Sequence, residues 1–229
     1  MNANIYVFTE ARSSFLNRKM LEYGYKGKCY SKKCALDGTC IYWNSRLRYV
    51  SSGCGRFLML NGKNASQGYL YVVLQHSMGT TIGVIGTHLK SLKTLKGEIR
   101  SYQASQLRAM YNVLERKTKL VIMAGDFNTK PDEYPGLAFR SFEGLNVHIT
   151  HRKKRNGILL SRVVDNIISN REALVAGVYG DNGQLIPNCD TDGSDHFPIT
   201  AVFQLYDMYL YALIIAATLM WWTVDTFVV

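Results

Sequence analysis

Several short apolar runs of the sequence end in polar side chains that could bind a metal ion or transfer a proton. The runs cover residues 5–8, 81–86 and 120–124, and the polar residues that follow them are Glu10, His88, Lys90, Asp126 and Asn128. Such runs are typical of buried β-strands, and open α/β sheets gather their active sites at strand ends. We therefore expect these side chains to meet at one edge of a sheet.

Two further groups complete this set of polar residues. Asp195 and His196 directly precede the run 200–204, so they reach the same edge if that strand is antiparallel to the others. Asp165 lies inside the apolar run 163–168, and a carboxylate in an apolar strand needs a polar partner.

Together these residues supply the groups that metal-assisted phosphoryl transfer requires. Carboxylates bind a hard cation such as Mg²⁺, imidazoles and a lysine contact phosphate oxygens, and an amide positions water. Each residue alone has a plainer interpretation, since a single histidine or glutamate is more often a hydrogen-bonded structural residue and Asp-Phe-Asn is more often a turn. The combination and the order of the residues favour the chemical interpretation.

The rest of the pattern indicates an α/β layered fold. Strands are predicted for residues 5–8, 39–43, 68–74, 81–86, 120–124, 163–168 and 200–204. Residues 94–117 place apolar side chains at helical spacing with arginine and lysine opposite, which predicts an amphipathic helix. A shorter helix is predicted for residues 13–23, with Phe15, Met20 and Leu21 facing inward.

The composition favours one globular domain with a polyanionic partner. The 229 residues are 47% hydrophobic and carry a net charge of +10, which suits a nucleic acid, a nucleotide or an anionic membrane. The five cysteines form an odd set without a C-x-x-C pair, so reduced, buried thiols are expected rather than a zinc site or a disulfide framework. No secretory signal precedes the first strand, so a cytoplasmic catalytic domain is expected.

The composition changes near residue 206, which separates a catalytic domain (residues 1–206) from a hydrophobic tail (residues 207–229). Residues 208–224 carry no charge and are rich in aromatic side chains, as membrane segments are near the interface. Two interpretations stay open. The segment is either a transmembrane anchor or a buried terminal helix, since it is slightly shorter than the about 20 residues usual for a span.

Three motifs carry a resemblance to a known family. THLKS at 87–91, GDFN at 125–128 and SDHFPI at 194–199 resemble the signature blocks of the endonuclease/exonuclease/phosphatase superfamily. NIYVFTE at 4–10, GYKG at 24–27, DGTCIYW at 37–43 and IRSYQASQL at 99–107 look most like the branch that contains nocturnin and the poly(A) deadenylases. The resemblance implies a four-layer α/β sandwich, in which two mixed β-sheets pack face to face with helices outside.

The resemblance also implies a Mg²⁺ or Mn²⁺ cofactor and a phosphoesterase that acts on RNA or a nucleotide. Glu10 and Asp195 would bind the metal. Asp126 would orient or deprotonate the attacking water, and Asn128 would hold that geometry.

The remaining site residues would contact the substrate. By the same resemblance, His196 would contact the scissile phosphate, with Asp165 hydrogen-bonded behind it to fix its tautomer. His88 would stabilise charge on a non-bridging oxygen. Lys90 and Arg100 are candidates for phosphate contacts, although for Arg100 a solvated helix face is the plainer interpretation.

One departure from the family leaves other functions open. The family has an additional first strand, with an asparagine at the metal site, before the block that corresponds to residues 4–10. One alternative, suggested by the hydrophobic tail, is a membrane-tethered phosphoesterase that acts on lipid head groups. The other, suggested by the lack of that strand in this sequence together with the tail, is a catalytically weakened, membrane-associated binding protein.

Overall fold

The computed structural model describes residues 3–11, 13–31, 38–90, 97–128, 151–155, 158–162, 164–178, 196, 198–205 and 226–228. The helices are α1 (Ser13–Glu22) and α2 (Gly97–Glu115). The strands are β1 (Ile5–Ala11), β2 (Lys26–Ser31), β3 (Gly38–Trp43), β4 (Leu47–Leu58), β5 (Asn64–His76), β6 (Thr81–His88), β7 (Leu120–Asp126), β8 (His151–Arg155), β9 (Ile158–Arg162), β10 (Asp165–Ser169), β11 (Val175–Val178), β12 (Ile199–Gln204) and β13 (Thr226–Val228).

The largest sheet has the strand order β10-β7-β6-β5-β4. Strands β6 and β7 are parallel and are joined through α2, while the other neighbours in this sheet are antiparallel. Both parallel strands are almost wholly buried, as expected when layers cover both faces of a sheet. Their carboxyl ends therefore lie side by side at one edge.

A second sheet, in the order β1-β3-β2, packs against the inner face of the first. Ile5 and Ile41 from this sheet share one apolar core with Val72, Val84 and Ile122 from the larger sheet. Smaller sheets with the orders β11-β12-β13 and β8-β9 complete the described strands.

The two helices cover the outer faces of the sheets. Met20 of α1 packs with Cys40 and Tyr42 on the outside of the second sheet. Leu107 of α2 packs with Val121 on the outside of the larger sheet. Helix, sheet, sheet and helix form four layers, which confirms the predicted α/β sandwich.

All seven predicted strands and both predicted helices are present, with shifted ends. The prediction that Phe15 and Leu21 face inward is wrong, because their exposed fractions are 53% and 64%. Met20 is buried, as expected, and Leu16 packs beside it. These two side chains point about 40° apart on the helix, whereas Phe15 and Leu21 lie on the opposite arc.

The prediction of reduced, buried cysteines is also wrong for Cys29, Cys40 and Cys54, whereas Cys34 and Cys189 lie outside the described residues. Cys29 and Cys40 form a disulfide, and Cys54 is a free, exposed cysteine. Cys29 and Cys40 are direct partners in the antiparallel β2–β3 pair, with their Cα atoms 4.1 Å apart. Side chains at such positions are close enough to be bridged, but spacing along the sequence does not reveal which strand positions are paired.

The predicted membrane anchor, residues 208–224, lies outside the described residues. Among the residues that the structure describes, no helix is long and apolar enough to cross a membrane. Beyond this segment, β13 pairs with β12 in antiparallel register.

Candidate active site

Three predicted site residues form a row across neighbouring strands of the larger sheet. Asp126 at the end of β7 is the register partner of His88 on β6 and of Asp165 on β10. Residues that are paired in a sheet project from the same face. Since β10 is antiparallel to β7, its first residue reaches the edge at which β6 and β7 end.

His196 joins this row from a different part of the chain. Its Nδ1 lies 2.6 Å from Oδ2 of Asp165, although the two residues are 31 positions apart in sequence. An ionised carboxylate can only accept a hydrogen bond, so this contact assigns Nδ1 of His196 as the donor to Asp165. The strand after His196, β12, belongs to the β11-β12-β13 sheet rather than to the sheet of β6 and β7.

Glu10 approaches the same edge from the second sheet. Its Oε1 lies 3.5 Å from Nδ1 of His88, and its side chain is 63% exposed. The β1–β3 register shifts between Phe8 and Ala11, and Glu10 has a positive φ of 54°. This left-handed conformation is costly for a residue with a side chain, so the bulge that turns Glu10 toward His88 is strained.

Asn128 fixes the carboxylate of Asp126. The Asn128 backbone N–H donates to Oδ1 of Asp126 at 2.6 Å, and the side-chain amide donates to Oδ2 at 3.2 Å and to the carbonyl of Leu89 at 2.9 Å. Asn128 also has a φ of 54°. These contacts hold both oxygens of Asp126 in a defined position.

Gly125, the residue before Asp126, allows the end of β7 to pack closely against the backbone of β6. Its φ is +146°, and an added Cβ would lie 1.9 Å from the carbonyl oxygen of Thr87. Only glycine fits so close to a neighbouring backbone, which explains why this residue type precedes Asp126.

The electrostatic environment of Asp126 is unfavourable for negative charge. Burial, followed by the charge of Asp165, raises the pKa of Asp126 to about 7, against the opposing effects of the Asn128 hydrogen bond and His196. Glu10 adds a smaller contribution in the raising direction. The site therefore holds more carboxylate charge than its own residues neutralise.

A divalent cation suits this donor set. Oxygens of Asp126 and Asp165 and a ring nitrogen of His196 all lie within 4.8 Å of one another. Oxygen donors are those that Mg²⁺ prefers, whereas a nitrogen donor is better suited to transition metals. The sequence pattern did not single out this trio as metal ligands, and the predicted ligand Asp195 lies outside the described residues.

Of the two predicted phosphate contacts, Lys90 follows His88 closely in the sequence and Arg100 lies on α2. The backbone N–H of Lys90 donates to Oε1 of Gln103 on α2 at 3.1 Å. Gln103, with only 1% exposure, thus ties the turn after His88 to the helix, and sequence reasoning missed it. Arg100 is partly buried on α2, which differs from the solvated helix face expected as its plainer interpretation.

No protein-family model and no curated protein matches the sequence. Solved structures do match it. The catalytic domain of human nocturnin, solved with a bound sulfate anion, has a TM-score of 0.61 at 21% identity, over 86% of this chain and 78% of that domain. ANGEL2, described as a 2′,3′-cyclic phosphatase and solved with adenosine-2′,3′-vanadate, has a TM-score of 0.63 at 15% identity, over 86% of this chain and 81% of that one.

A third match carries the family name. An endonuclease/exonuclease/phosphatase family protein from Bacteroides thetaiotaomicron has a TM-score of 0.63 at 14% identity, over 86% of this chain and 82% of that one. The chain therefore has the fold of these proteins, as the sequence motifs indicated.

Proposed function

We propose that the chain hydrolyses a phosphate ester in RNA or a nucleotide, using a water molecule activated beside Asp126. The observation that carries the proposal is the arrangement of Asp126, held by Asn128, next to the hydrogen-bonded pair of Asp165 and His196. The net charge of +10 supports an anionic substrate. The fold shared with ANGEL2, a cyclic phosphatase solved with an adenosine derivative, supports a nucleotide.

Asp126 is the residue that accepts the proton of the attacking water. A general base works best when its pKa is near the working pH, and in the metal-free site burial with the charge of Asp165 raises the pKa of Asp126 to about 7. The two hydrogen bonds from Asn128 keep the carboxylate from rotating. Their role is therefore to orient the base rather than to react.

His196 contacts the scissile phosphate. Because Nδ1 of His196 donates a hydrogen bond to Asp165, the imidazole orientation is fixed, and Nε2 is the ring nitrogen that would face the substrate. Protonated His196 would donate to a phosphoryl oxygen as negative charge develops there. His88, which lies 3.7 Å from Asp126 and 3.5 Å from Glu10, is placed to do the same for a non-bridging oxygen, with Lys90 and Arg100 as outer phosphate contacts.

Mg²⁺ or Mn²⁺ is the cofactor that we propose. Glu10, together with Asp195 beside His196 in the sequence, would hold it, and the excess carboxylate charge around Asp126 fits a nearby cation. When bound, such an ion neutralises phosphoryl charge and lowers the pKa of water. The strained backbone of Glu10 is consistent with a side chain that must be aimed at a ligand.

The proposal is tested with purified protein and two phosphodiesters that share a p-nitrophenyl leaving group. One is methyl p-nitrophenyl phosphate and the other is the p-nitrophenyl ester of a nucleoside 5′-monophosphate. We expect turnover with Mg²⁺ or Mn²⁺, its loss with EDTA, and roughly a 100-fold to 10,000-fold lower kcat for Asp126→Asn. Labelled oligoadenylate RNA and the matching DNA, run in parallel, report the preferred nucleic acid.

The matched control is Glu22→Gln, which removes an exposed carboxylate from α1 whose partner is Lys19. This variant should retain wild-type turnover, whereas Glu10→Gln should lose metal-dependent activity. Full activity of both Asp126→Asn and Glu10→Gln would refute the mechanism, and absence of any metal-dependent turnover in the folded wild type would refute the function.

A further inference from the structure

One side of the sandwich, where both sheets end, carries basic side chains. Strand β2 ends the second sheet and β4 ends the larger one, so neither has a further neighbour among the described strands. Both strands lack aspartate and glutamate, whereas they carry Lys26, Lys28, Arg48 and Arg56. All four side chains are exposed. This side of the molecule is therefore positively charged, unlike the carboxylate-rich edge at Asp126.

Three of these cations form a row on the inner faces of the two sheets. Side chains two residues apart on a strand share a face, so Lys26 and Lys28 lie on the same face of β2 as Tyr30, which packs against the inner core. Arg56 is the register partner of Gly68, and a Cβ on Gly68 would lie 2.8 Å from Cε1 of Tyr30. Arg56 therefore lies next to the Tyr30 end of β2. The two lysines continue the row along β2, about 7 Å apart.

A cation–π contact joins the two edge strands within this row. Nζ of Lys28 lies 5.4 Å from the centre of the Tyr49 ring on β4, and that ring stacks on Trp43 with the ring centres 5.8 Å apart. Such a contact attracts an ammonium group to a defined place without neutralising its charge. The ammonium of Lys28 is therefore positioned to meet an anion.

No carboxylate of the described residues neutralises the row. The ion pairs between described residues have Lys19, His88 and His196 as their basic partners, and none of these three lies on β2 or β4. Cations that are grouped without carboxylates attract polyanions. The catalytic row is itself rich in carboxylates, so the attraction for a polyanion has to come from elsewhere on the surface.

The form of the two edges favours a single strand of nucleic acid over a peptide or a membrane. An acidic peptide would bind an open sheet edge by adding a strand, but the β4–β5 pairing shifts at positions 49–51 and 56–58, and such bulges hinder strand addition. A membrane is bound by a broad polybasic cluster, whereas these cations form a row. Single-stranded nucleic acid is bound by lines of cations combined with aromatic side chains.

We propose that Lys26, Lys28 and Arg56, together with Tyr49, form an accessory binding site for single-stranded RNA. The site lies away from the carboxylates of the proposed reaction, and it goes beyond the proposed function because it binds RNA without cleaving it. Its contacts are with phosphates, so its affinity depends on salt rather than on base sequence. A mononucleotide ester lacks the further phosphates that this site binds.

The experiment measures binding of fluorescein-labelled oligoadenylate by fluorescence anisotropy, in EDTA and at several salt concentrations. The variant with Lys26→Gln, Lys28→Gln and Arg56→Gln should bind the RNA roughly 10-fold to 100-fold more weakly near 0.1 M salt. The slope of log affinity against log salt should fall by about 2, since each phosphate contact on a single strand contributes about 0.7. Unchanged affinity and slope would overturn the site.

A matched pair of variants separates the position of the charges from their number. Arg56→Gln and Arg48→Gln each remove one positive charge from β4. Arg48 follows the inner-core residue Leu47, so it projects from the opposite face, where it contacts Gln75. Arg56→Gln should weaken RNA binding by roughly 5-fold, while Arg48→Gln should leave it at the wild-type value. Equal losses in both variants would mean that binding follows net charge alone, and the site would be rejected.

A competition experiment identifies the kind of polyanion. Unlabelled oligoadenylate should displace the labelled RNA, whereas polyglutamate of the same charge should displace it far less effectively. Equal displacement by the two polymers would assign the row to acidic proteins and overturn the assignment to RNA.

Turnover separates this inference from the proposed function. The triple variant should keep the wild-type kcat/KM for the p-nitrophenyl ester of a nucleoside 5′-monophosphate, and its KM for oligoadenylate should rise. A matching loss on the small ester would place the row in the catalytic site and overturn its accessory role. If no ester is hydrolysed by the wild type, the proposed function fails, and the anisotropy measurement in EDTA still decides whether the row binds RNA.

Discussion

Replacing Asp126 by asparagine should remove a pH-dependent loss of stability that the native carboxyl causes. Burial and the charge of Asp165 raise the pKa of Asp126 to about 7 in the folded protein, whereas an unfolded aspartate has a pKa of about 3.9. Between these values the folded state binds more protons than the unfolded state, so the free energy of unfolding falls as the pH rises. Relative to high pH, the protonated Asp126 carboxyl stabilises the folded protein fully below about pH 4. This stabilisation is lost once the pH has risen past the folded pKa.

The size of the effect follows from the two pKa values. One unit of pKa difference corresponds to about 1.4 kcal/mol. Between pH 5 and pH 8 the native carboxyl should therefore lower the free energy of unfolding by about 3 kcal/mol. An asparagine at position 126 also places its amide group opposite the side-chain amide of Asn128. This contact should lower the free energy of unfolding by about 1 kcal/mol at every pH.

The assay is urea unfolding of the wild type and Asp126→Asn in EDTA at several pH values from 5 to 8. The difference between the two proteins reports on Asp126 and on the groups that interact with it, because the titrating residues elsewhere are common to both. We expect the variant to gain about 3 kcal/mol relative to the wild type across this range, and added Mg²⁺ to reduce the gain by stabilising the native carboxylate. A difference that is constant with pH would refute the raised pKa and the assignment of Asp126 as a base near neutrality.

Three further predictions concern the backbone and the disulfide. Glu10→Gly and Glu10→Ala should both be inactive. The glycine variant should be more stable than the alanine variant by about 1 kcal/mol in urea unfolding, because only glycine adopts the left-handed conformation without strain. Equal stability of the two variants would contradict this prediction. Cys29→Ser should lower the free energy of unfolding by about 3 kcal/mol under oxidising conditions. The control Cys54→Ser should not lower it, and titration of the free thiols would check that the bridge is present. Gly125→Ala should leave no folded protein by circular dichroism, whereas Gly79→Ala, with open space around it, should cost about 1 kcal/mol.

The strands that form the core could be predicted from the sequence because burial dictates their composition. Strands β6 and β7 are continuous apolar runs, as expected for parallel strands covered on both faces. Strand β4 was missed for the opposite reason. It lies at the end of the larger sheet, most of its residues are exposed, and its centre contains Ser51, Ser52, Gly53 and Gly55, so no apolar period marks it.

The residues of the candidate site could be named from the sequence, but which of them lie opposite each other on neighbouring strands could not. A carboxylate inside an apolar strand indicated that Asp165 has a polar partner, and the family resemblance named His196. The register that aligns Asp165, Asp126 and His88 is a property of sheet assembly, as is the pairing of Cys29 with Cys40. Local patterns of apolar residues define faces and periods, whereas they do not define which residues of two strands lie opposite each other.

Backbone strain separates the catalytic interpretation from a purely structural one. Within the part of the chain that the structure describes, the non-glycine residues with positive φ are Glu10 and Asn128, and both lie at the edge where the carboxylates meet. A structural turn could use glycine at either position and avoid the cost. Glycine, however, would remove the carboxylate that approaches His88 and the amide that holds Asp126. The roles proposed for the two side chains account for the retained strain, and they require a Glu10→Gly variant that is more stable than Glu10→Ala yet inactive.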